Sequence, residues 1–232
     1  MNAERKEFLL IINHPAQGDW NMAVDEVLMG AAESAIALPV LRLYGWQPAC
    51  LSLGQGQKYA DVDLDAVKQN GWQVVRRPTG GKAILHTDEL TYSLTAHEDH
   101  WLMQGGILAS YQRISKVLLT FLHLLQIPGA SQTPETPASP QGLGPVCFEV
   151  PSSYEITVNG KKIIGSAQAR KNHAVLQHGS IPLVGDITRI TRALRYPDAA
   201  ARLAAAEKVR RRAGTVEEFS ATTPDWHNGA AL

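Results

Sequence analysis

Two strand-forming runs joined by Asn159-Gly160 constrain the fold of this chain more than any other feature. Residues 154–158 (YEITV) and 161–168 (KKIIGSAQ) flank that dipeptide. A type I′ turn needs positive φ at both central positions, and Asn-Gly supplies it. The two runs therefore close into a hairpin. Residues 174–184 (AVLQHGSIPLV) continue as another strand. Upstream, residues 7–13 (EFLLIIN), 39–44 (PVLRLY), 49–53 (ACLSL) and 72–77 (WQVVRR) read as strands, as do AILH and LTYSLTA after Gly80-Gly81. Strands outnumber helices and hairpins dominate. The expected class is α+β, with a mixed, largely antiparallel sheet packed with α-helices.

Three helices are expected before the C-terminal tail. One opens at Asp19-Trp20-Asn21, with Met22, Val24, Val27, Leu28 and Ala31 at helical spacing. A second spans 64–70, capped by Asp63 and stopped by Gly71. The third, over 107–127, carries Ile107, Leu108, Tyr111, Ile114, Val117, Leu118, Phe121, Leu122 and Leu125 on one stripe. Residues 128–145 hold five of the 13 prolines and read as a flexible surface loop. From residue 186 the tail reads as helical and basic. No internal repeat is present, and one domain over 1–232 is expected.

Lys+Arg and Asp+Glu both total 22, so a globally basic nucleic-acid binder is not the default. The balance is uneven along the chain. Arg189, Arg192, Arg195, Arg202, Lys208, Arg210, Arg211 and Arg212 face only Asp198 and Glu207 in their segment, so the remainder is acidic by the same margin. Such a run is either a solvated helix face or a docking surface for an acidic partner. No apolar run is long enough to span a bilayer. The apolar stretch near the N-terminus leads into Asn13-His14-Pro15 without a small-residue cleavage site, so it reads as a first strand and not a signal peptide. A cytoplasmic protein is expected.

Four segments could carry chemistry. Arg76-Arg77-Pro78-Thr79-Gly80-Gly81-Lys82 is a tight loop, either an ordinary turn or an anion-binding nest with basic flanks. Along 161–168, strand alternation puts Lys162, Ile164, Ser166 and Gln168 on one face. Lysines directly after a turn usually face solvent; one turned into a site could hold an anion or lower a thiol's pKa. His178-Gly179-Ser180 inside an apolar strand is either a hydrogen-bonded structural histidine or a place of close backbone approach. The two cysteines cannot build a disulfide framework or a Cys-based zinc site, and no metal is expected. Cys50 lies in an apolar run and reads as core, whereas Cys147 lies where the Pro/Gly-rich loop meets the next strand.

In this order, Asn21-Met22-Ala23-Val24-Asp25-Glu26, Leu41-Arg42-Leu43-Tyr44-Gly45-Trp46 and Ser52-Leu53-Gly54-Gln55-Gly56-Gln57 lead into Arg76 to His86, Gly160 to Gln168 and Gln177 to Ser180. The set resembles the catalytic domain shared by biotin protein ligases, lipoate–protein ligases and octanoyltransferases. Within that superfamily, Cys147-Phe148-Glu149-Val150-Pro151-Ser152 with Lys162 fifteen residues beyond the cysteine is most similar to the cysteine-dependent octanoyltransferases of Bacillus type. The resemblance implies Cys147 as nucleophile and Lys162 as the residue that lowers its pKa. It implies a substrate site built from Arg76, Gly80, Gly81, Lys82, His86, Gly165, Ser166, Gln168, His178 and Gly179. The implied donor is octanoyl-acyl carrier protein, and the implied acceptor is a lysine of a lipoyl domain or of the glycine-cleavage H protein. No cofactor, nucleic acid or membrane is implied.

Lys82 stands where the ligases usually have a third glycine, and the chain leaves little room for a ligase accessory domain. The other readings are an ATP-dependent lipoate–protein ligase using ATP and Mg through lipoyl-AMP, an acyl shuttle that starts from the H protein, and a non-catalytic module that binds lipoyl domains.

Overall fold

The computed structural model describes residues 7–127, 129–133 and 155–220. Among the described residues ten strands make two sheets. The larger sheet takes β1 (Leu9–Ile12), β2 (Val40–Tyr44), β6 (Glu89–His97), β10 (Ala174–Pro182), β9 (Lys161–Lys171), β8 (Glu155–Val158) and β7 (Ser131–Thr133), side by side in that order. Only β1 and β2 run parallel; the other pairs are antiparallel. The smaller sheet places β3 (Cys50–Leu53) between β4 (Gln73–Arg76) and β5 (Ile84–His86). The β8–β9 hairpin turns at Asn159 and Gly160 with φ of 49° and 77°, the geometry that the dipeptide demands.

The central strand β6 shows why the site forms where it does. Its sequence alternates Leu90, Tyr92, Leu94, Ala96 with Glu89, Thr91, Ser93, Thr95, yet all eight are buried. The apolar set joins Ile114, Leu118 and Leu122 of α3 (Gly106–Leu124) in the largest core cluster. The polar set faces α1 (Gly18–Ala31) and the smaller sheet. Buried polar groups are costly without partners; on this face Glu89, Thr91 and Ser93 find them, whereas the Thr95 hydroxyl has none among the described residues. A second core, including Leu51, Leu53, Val67 of α2 (Leu64–Gln69), Ile190 and Val209 of α4 (Ala199–Arg212), ties the smaller sheet to the C-terminal elements.

Several expectations change. The α1 stripe fails because this helix packs against the polar face: Asn21, Met22, Asp25 and Met29 are buried, and Val27 is 70% exposed. On α3, Ile107, Leu108 and Val117 are at least half exposed, and the helix stops at Leu124. The expected loop over 128–145 contains strand β7, whose backbone pairs with β8; residues 134–154 lie outside the described residues. The basic tail is not one helix. A 3-10 helix (Ile187–Arg192) ends before Pro197, and α4 starts afresh with Asp198 capping the Ala201 N–H at 2.7 Å. Among the described residues no helix is long and apolar enough to cross a membrane.

Candidate active site

Asp25, wholly buried on α1, accepts four hydrogen bonds. They come from Arg42 (2.8 Å), Ser93 (2.8 Å), Tyr44 (2.9 Å) and His178 Nδ1 (3.1 Å). Burial would raise its pKa, but His178, Arg42 and Ser93 outweigh burial and hold it below the usual carboxylate range. Burial pushes the His178 pKa below its ordinary value, against the pull of Asp25, so the ring is neutral. With Nδ1–H directed to the carboxylate, Nε2 accepts, and its partner is the Thr79 hydroxyl at 2.7 Å.

The same arrangement recurs beside it. His86 Nδ1 meets Glu89 at 2.7 Å, and Nε2 meets the Ser52 hydroxyl at 2.7 Å. Glu89 also accepts from Thr91 and Ser180, each at 2.5 Å. The His86 ring stacks on Trp46 with centroids 4.0 Å apart. Between the two histidines lies the Arg77 guanidinium, 3% exposed. It donates to Thr79 Oγ1 (3.1 Å), to Ser52 O (3.0 Å) and Oγ (3.1 Å), and to the carbonyls of Gly80 (2.8 Å) and Lys82 (2.7 Å). A small cavity of about 20 Å³, room for about one water molecule, is lined by Ser52, Arg77, His86, Gly165, Ala167, His178, Gly179 and Ser180 with Met22, Tyr44, Trp46, Ile84, Thr91 and Ser166.

Lys162 reaches this face through a bulge. Ile156 pairs with Ile164 and Thr157 with Lys162, so β9 has one extra residue, Ile163. Paired residues face the same way, and Ile156 and Thr157 face opposite ways. Lys162 is therefore turned away from Ile164, Ser166 and Gln168, which corrects the shared face expected from alternation. It joins the side of Gly165 and Ala167, three residues and roughly 10 Å along the strand from Gly165. There it is buried, 3% exposed, and forms a 2.7 Å ion pair with Glu155. The chain after α4 clamps its backbone, because Gly214 N–H donates to the Lys162 carbonyl at 3.1 Å.

Of the expected site residues, His86, Gly165, Ser166, His178 and Gly179 gather around the cavity. Gly179 is tightly enclosed: a Cβ there would lie 2.5 Å from Tyr92 Cε1 and 2.9 Å from the Gly165 carbonyl. The close approach read from its sequence is thus made by protein. Gln168 points to the other face, bonded to Ser110 and Gln177. Arg76 is exposed and caps the turn carbonyls of Gly54 (2.9 Å) and Gln55 (3.0 Å), while Arg77, the residue that follows β4, points inward. Gly80 and Gly81 are exposed in the loop and Lys82 is half-buried. Cys147 lies outside the described residues. Cys50 is core, as expected: burial pushes its thiol up to about 12. Sequence reasoning missed Asp25, Ser52, Arg77, Thr79 and Glu89 as members of the site. The signals available were the ordered motifs, which contain Asp25, Ser52, Arg77 and Thr79, and the polar alternation along β6, which contains Glu89.

Against known proteins, the family model described as the lipoyl protein ligase A/B catalytic domain matches residues 17–228. Octanoyltransferase LipM of Moorella thermoacetica is 44% identical over 183 residues, 78% of this chain and 67% of that protein. Octanoyltransferase LipM of Carboxydothermus hydrogenoformans is 41% identical over 204 residues, 88% of this chain and 75% of that one. Among solved structures, a bipartite lipoate protein ligase from Thermoplasma acidophilum superposes with a TM-score of 0.74 at 24% identity, covering 97% of this chain and 81% of its own. A lipoate-protein ligase A bound with ATP gives 0.70 at 21%, over 97% and 82%. At that identity the structures establish the fold, and the family model with the closer relatives establishes the lineage. The chain belongs to the lipoyl protein ligase A/B catalytic domain family.

Proposed function

We propose that this chain is an acyltransferase of lipoate biosynthesis that moves an octanoyl group from an acyl carrier protein to a lysine of a lipoyl domain or H protein. The relatives at 41–44% identity, all named octanoyltransferases, support the reaction. The observation that carries the assignment of roles is Lys162, a buried ammonium turned by the bulge to the cavity face.

The chemistry needs a thiolate and a nearby cation. In the proposed sequence the Cys147 thiolate attacks the donor thioester carbonyl. The new C–S bond forms, the carrier's C–S bond breaks, and the carrier leaves as a thiol after taking a proton. The acceptor amine then attacks the Cys147 thioester. A C–N bond forms, the C–S bond breaks, and the amine's proton returns to sulfur. Lys162 stabilises the thiolate in both halves. The exposed Gly80-Gly81 turn offers backbone N–H groups for the developing oxyanion. Amide formation from a thioester is downhill, so the proposed reaction uses no ATP and no cofactor. It suits the cytoplasm, where a protein-bound thioester donor would be met.

The test is intact mass spectrometry after mixing with octanoyl-carrier protein. An octanoyl adduct in the wild type that is absent in Cys147→Ala is the expected result. Transfer that persists in Cys147→Ala and requires ATP would replace this reading with the ligase one.

A further inference from the structure

Arg77 spends every N–H of its guanidinium on acceptors inside the protein. Two of its acceptors are hydroxyls, each also hydrogen-bonded to a histidine. Asp25 accepts from His178 Nδ1–H and His178 Nε2 accepts from Thr79, while His86 bridges Glu89 through Nδ1 and the Ser52 hydroxyl through Nε2; both hydroxyl oxygens accept from Arg77. Two carboxylate–histidine–hydroxyl chains, one from α1 with β10 and one from β5 with β6, therefore converge on one fork and hold it in one orientation.

The fork acts on the loop. Its remaining nitrogen takes the carbonyls of Gly80 and Lys82 together. The carbonyl between them, Gly81, is pressed against Gly54, where a Cβ would come within 2.1 Å of it. Gly81 adopts φ of 90°, which permits this. Three successive carbonyls are thus turned into the protein. Across a planar trans peptide the next residue's N–H points the opposite way, so the inward carbonyls of Gly80 and Gly81 turn the N–H groups of Gly81 and Lys82 outward, and among the described residues no acceptor takes either. A short run of N–H groups facing away from the body is a cradle for negative charge.

We propose that Arg77 is the positioning residue of this site: it fixes the Gly80–Lys82 carbonyls inward so that the N–H groups of the turn meet the oxyanion formed at the substrate carbonyl. The proposal rests on the acyl-transfer reading for its substrate, but the geometry it assigns to Arg77 can be tested without it. Arg77 touches no reacting atom. It sets the donors once, during folding, so no reorganisation is needed in the transition state.

Thr79→Val removes the hydroxyl that links Arg77 to His178 while keeping shape, and Thr79→Ser restores it. The expected result is that Thr79→Val lowers kcat for acyl-enzyme formation by about tenfold or more, with KM for the octanoyl donor within about twofold, and that Thr79→Ser recovers most of the loss. Arg77→Lys keeps charge but loses the fork, and it loses about a hundredfold in kcat. A Thr79→Val enzyme with wild-type kcat, or a Thr79→Ser enzyme equally impaired, overturns the proposal. If the wild type forms no acyl-enzyme at all, the acyl-transfer reading fails instead. The positioning role is then decided by hydrogen exchange at Gln55, whose N–H bonds the Thr79 carbonyl at 2.9 Å. About tenfold faster exchange in Thr79→Val supports it, and unchanged exchange overturns it.

Discussion

Lys162 and Ile164 lie two residues apart on one strand and face opposite sides of the sheet. Regular pleating would put them together; the extra residue Ile163 separates them. Its neighbour Lys161 is the contrast, a half-exposed lysine paired with Glu218 at 2.7 Å. Lys162→Met is expected to slow acyl-enzyme formation at least about a hundredfold, and Lys161→Met to leave it within about twofold. Equal effects from the two substitutions, read by rapid-quench mass spectrometry, would remove Lys162 from the mechanism.

Gly179 tests the packing between strands. A methyl group there meets Tyr92, the Gly165 carbonyl and Ser166 Oγ, two of them backbone or ring atoms that cannot swing aside. Gly179→Ala should cost about 1–3 kcal/mol in denaturant unfolding. A stability equal to wild type would show that the central strands are looser than these distances state.

The pH dependence of stability follows from His178 and Asp25. The His178 pKa is lowered in the fold, so between that value and the unfolded value of about 6.5 the unfolded chain binds more protons and stability falls as pH drops. Asp25, lowered as well, adds a second loss as pH falls below about 3.9. Thermal scans should show a Tm declining as pH is taken from about 7.5 to about 5, with a smaller decline in His178→Gln. A variant whose decline matches the wild type would mean that other groups control it.

The C-terminal basic segment is only partly neutralised internally. Arg189 pairs with Asp88 and Arg210 with Glu207, whereas Arg202 and Arg211 are exposed on α4. Because α4 leads straight to the clamp on Lys162, an acidic carrier docked on it would sit near the site. Arg202→Glu with Arg211→Glu should raise KM for the carrier-bound donor several-fold at low salt, leave kcat nearly unchanged, and lose the difference at high salt. The same KM at low salt would make the segment a solvated face.

Cys50 and Cys147 should separate cleanly by reactivity. The Cys50 thiol, held at about 12 by burial, stays protonated at neutral pH. Iodoacetamide on the folded protein should label Cys147 alone, and Cys50→Ala should retain transfer. Labelling of Cys50 before unfolding would contradict its burial.

Much of this protein was legible in one dimension. The Asn159-Gly160 turn and the Asp63 and Gly71 boundaries of α2 depend on local φ and on side-chain capping, and those are written residue by residue. The ordered motifs were equally legible and led to the family. The polar network was not. Asp25, Thr79 and His178 are separated by 54 and 99 positions, and only sheet pairing and helix docking bring them within hydrogen-bond distance. The face of Lys162 was also decided in three dimensions, because a bulge costs one unpaired residue in a ladder and leaves no mark on the sequence period. Choosing Arg77 over Arg76 likewise required knowing which side of β4 meets the core. By itself the sequence determined the elements, the turn chemistry and the lineage. Tertiary structure decided which charges are buried together, because that depends on distances between segments far apart in the chain.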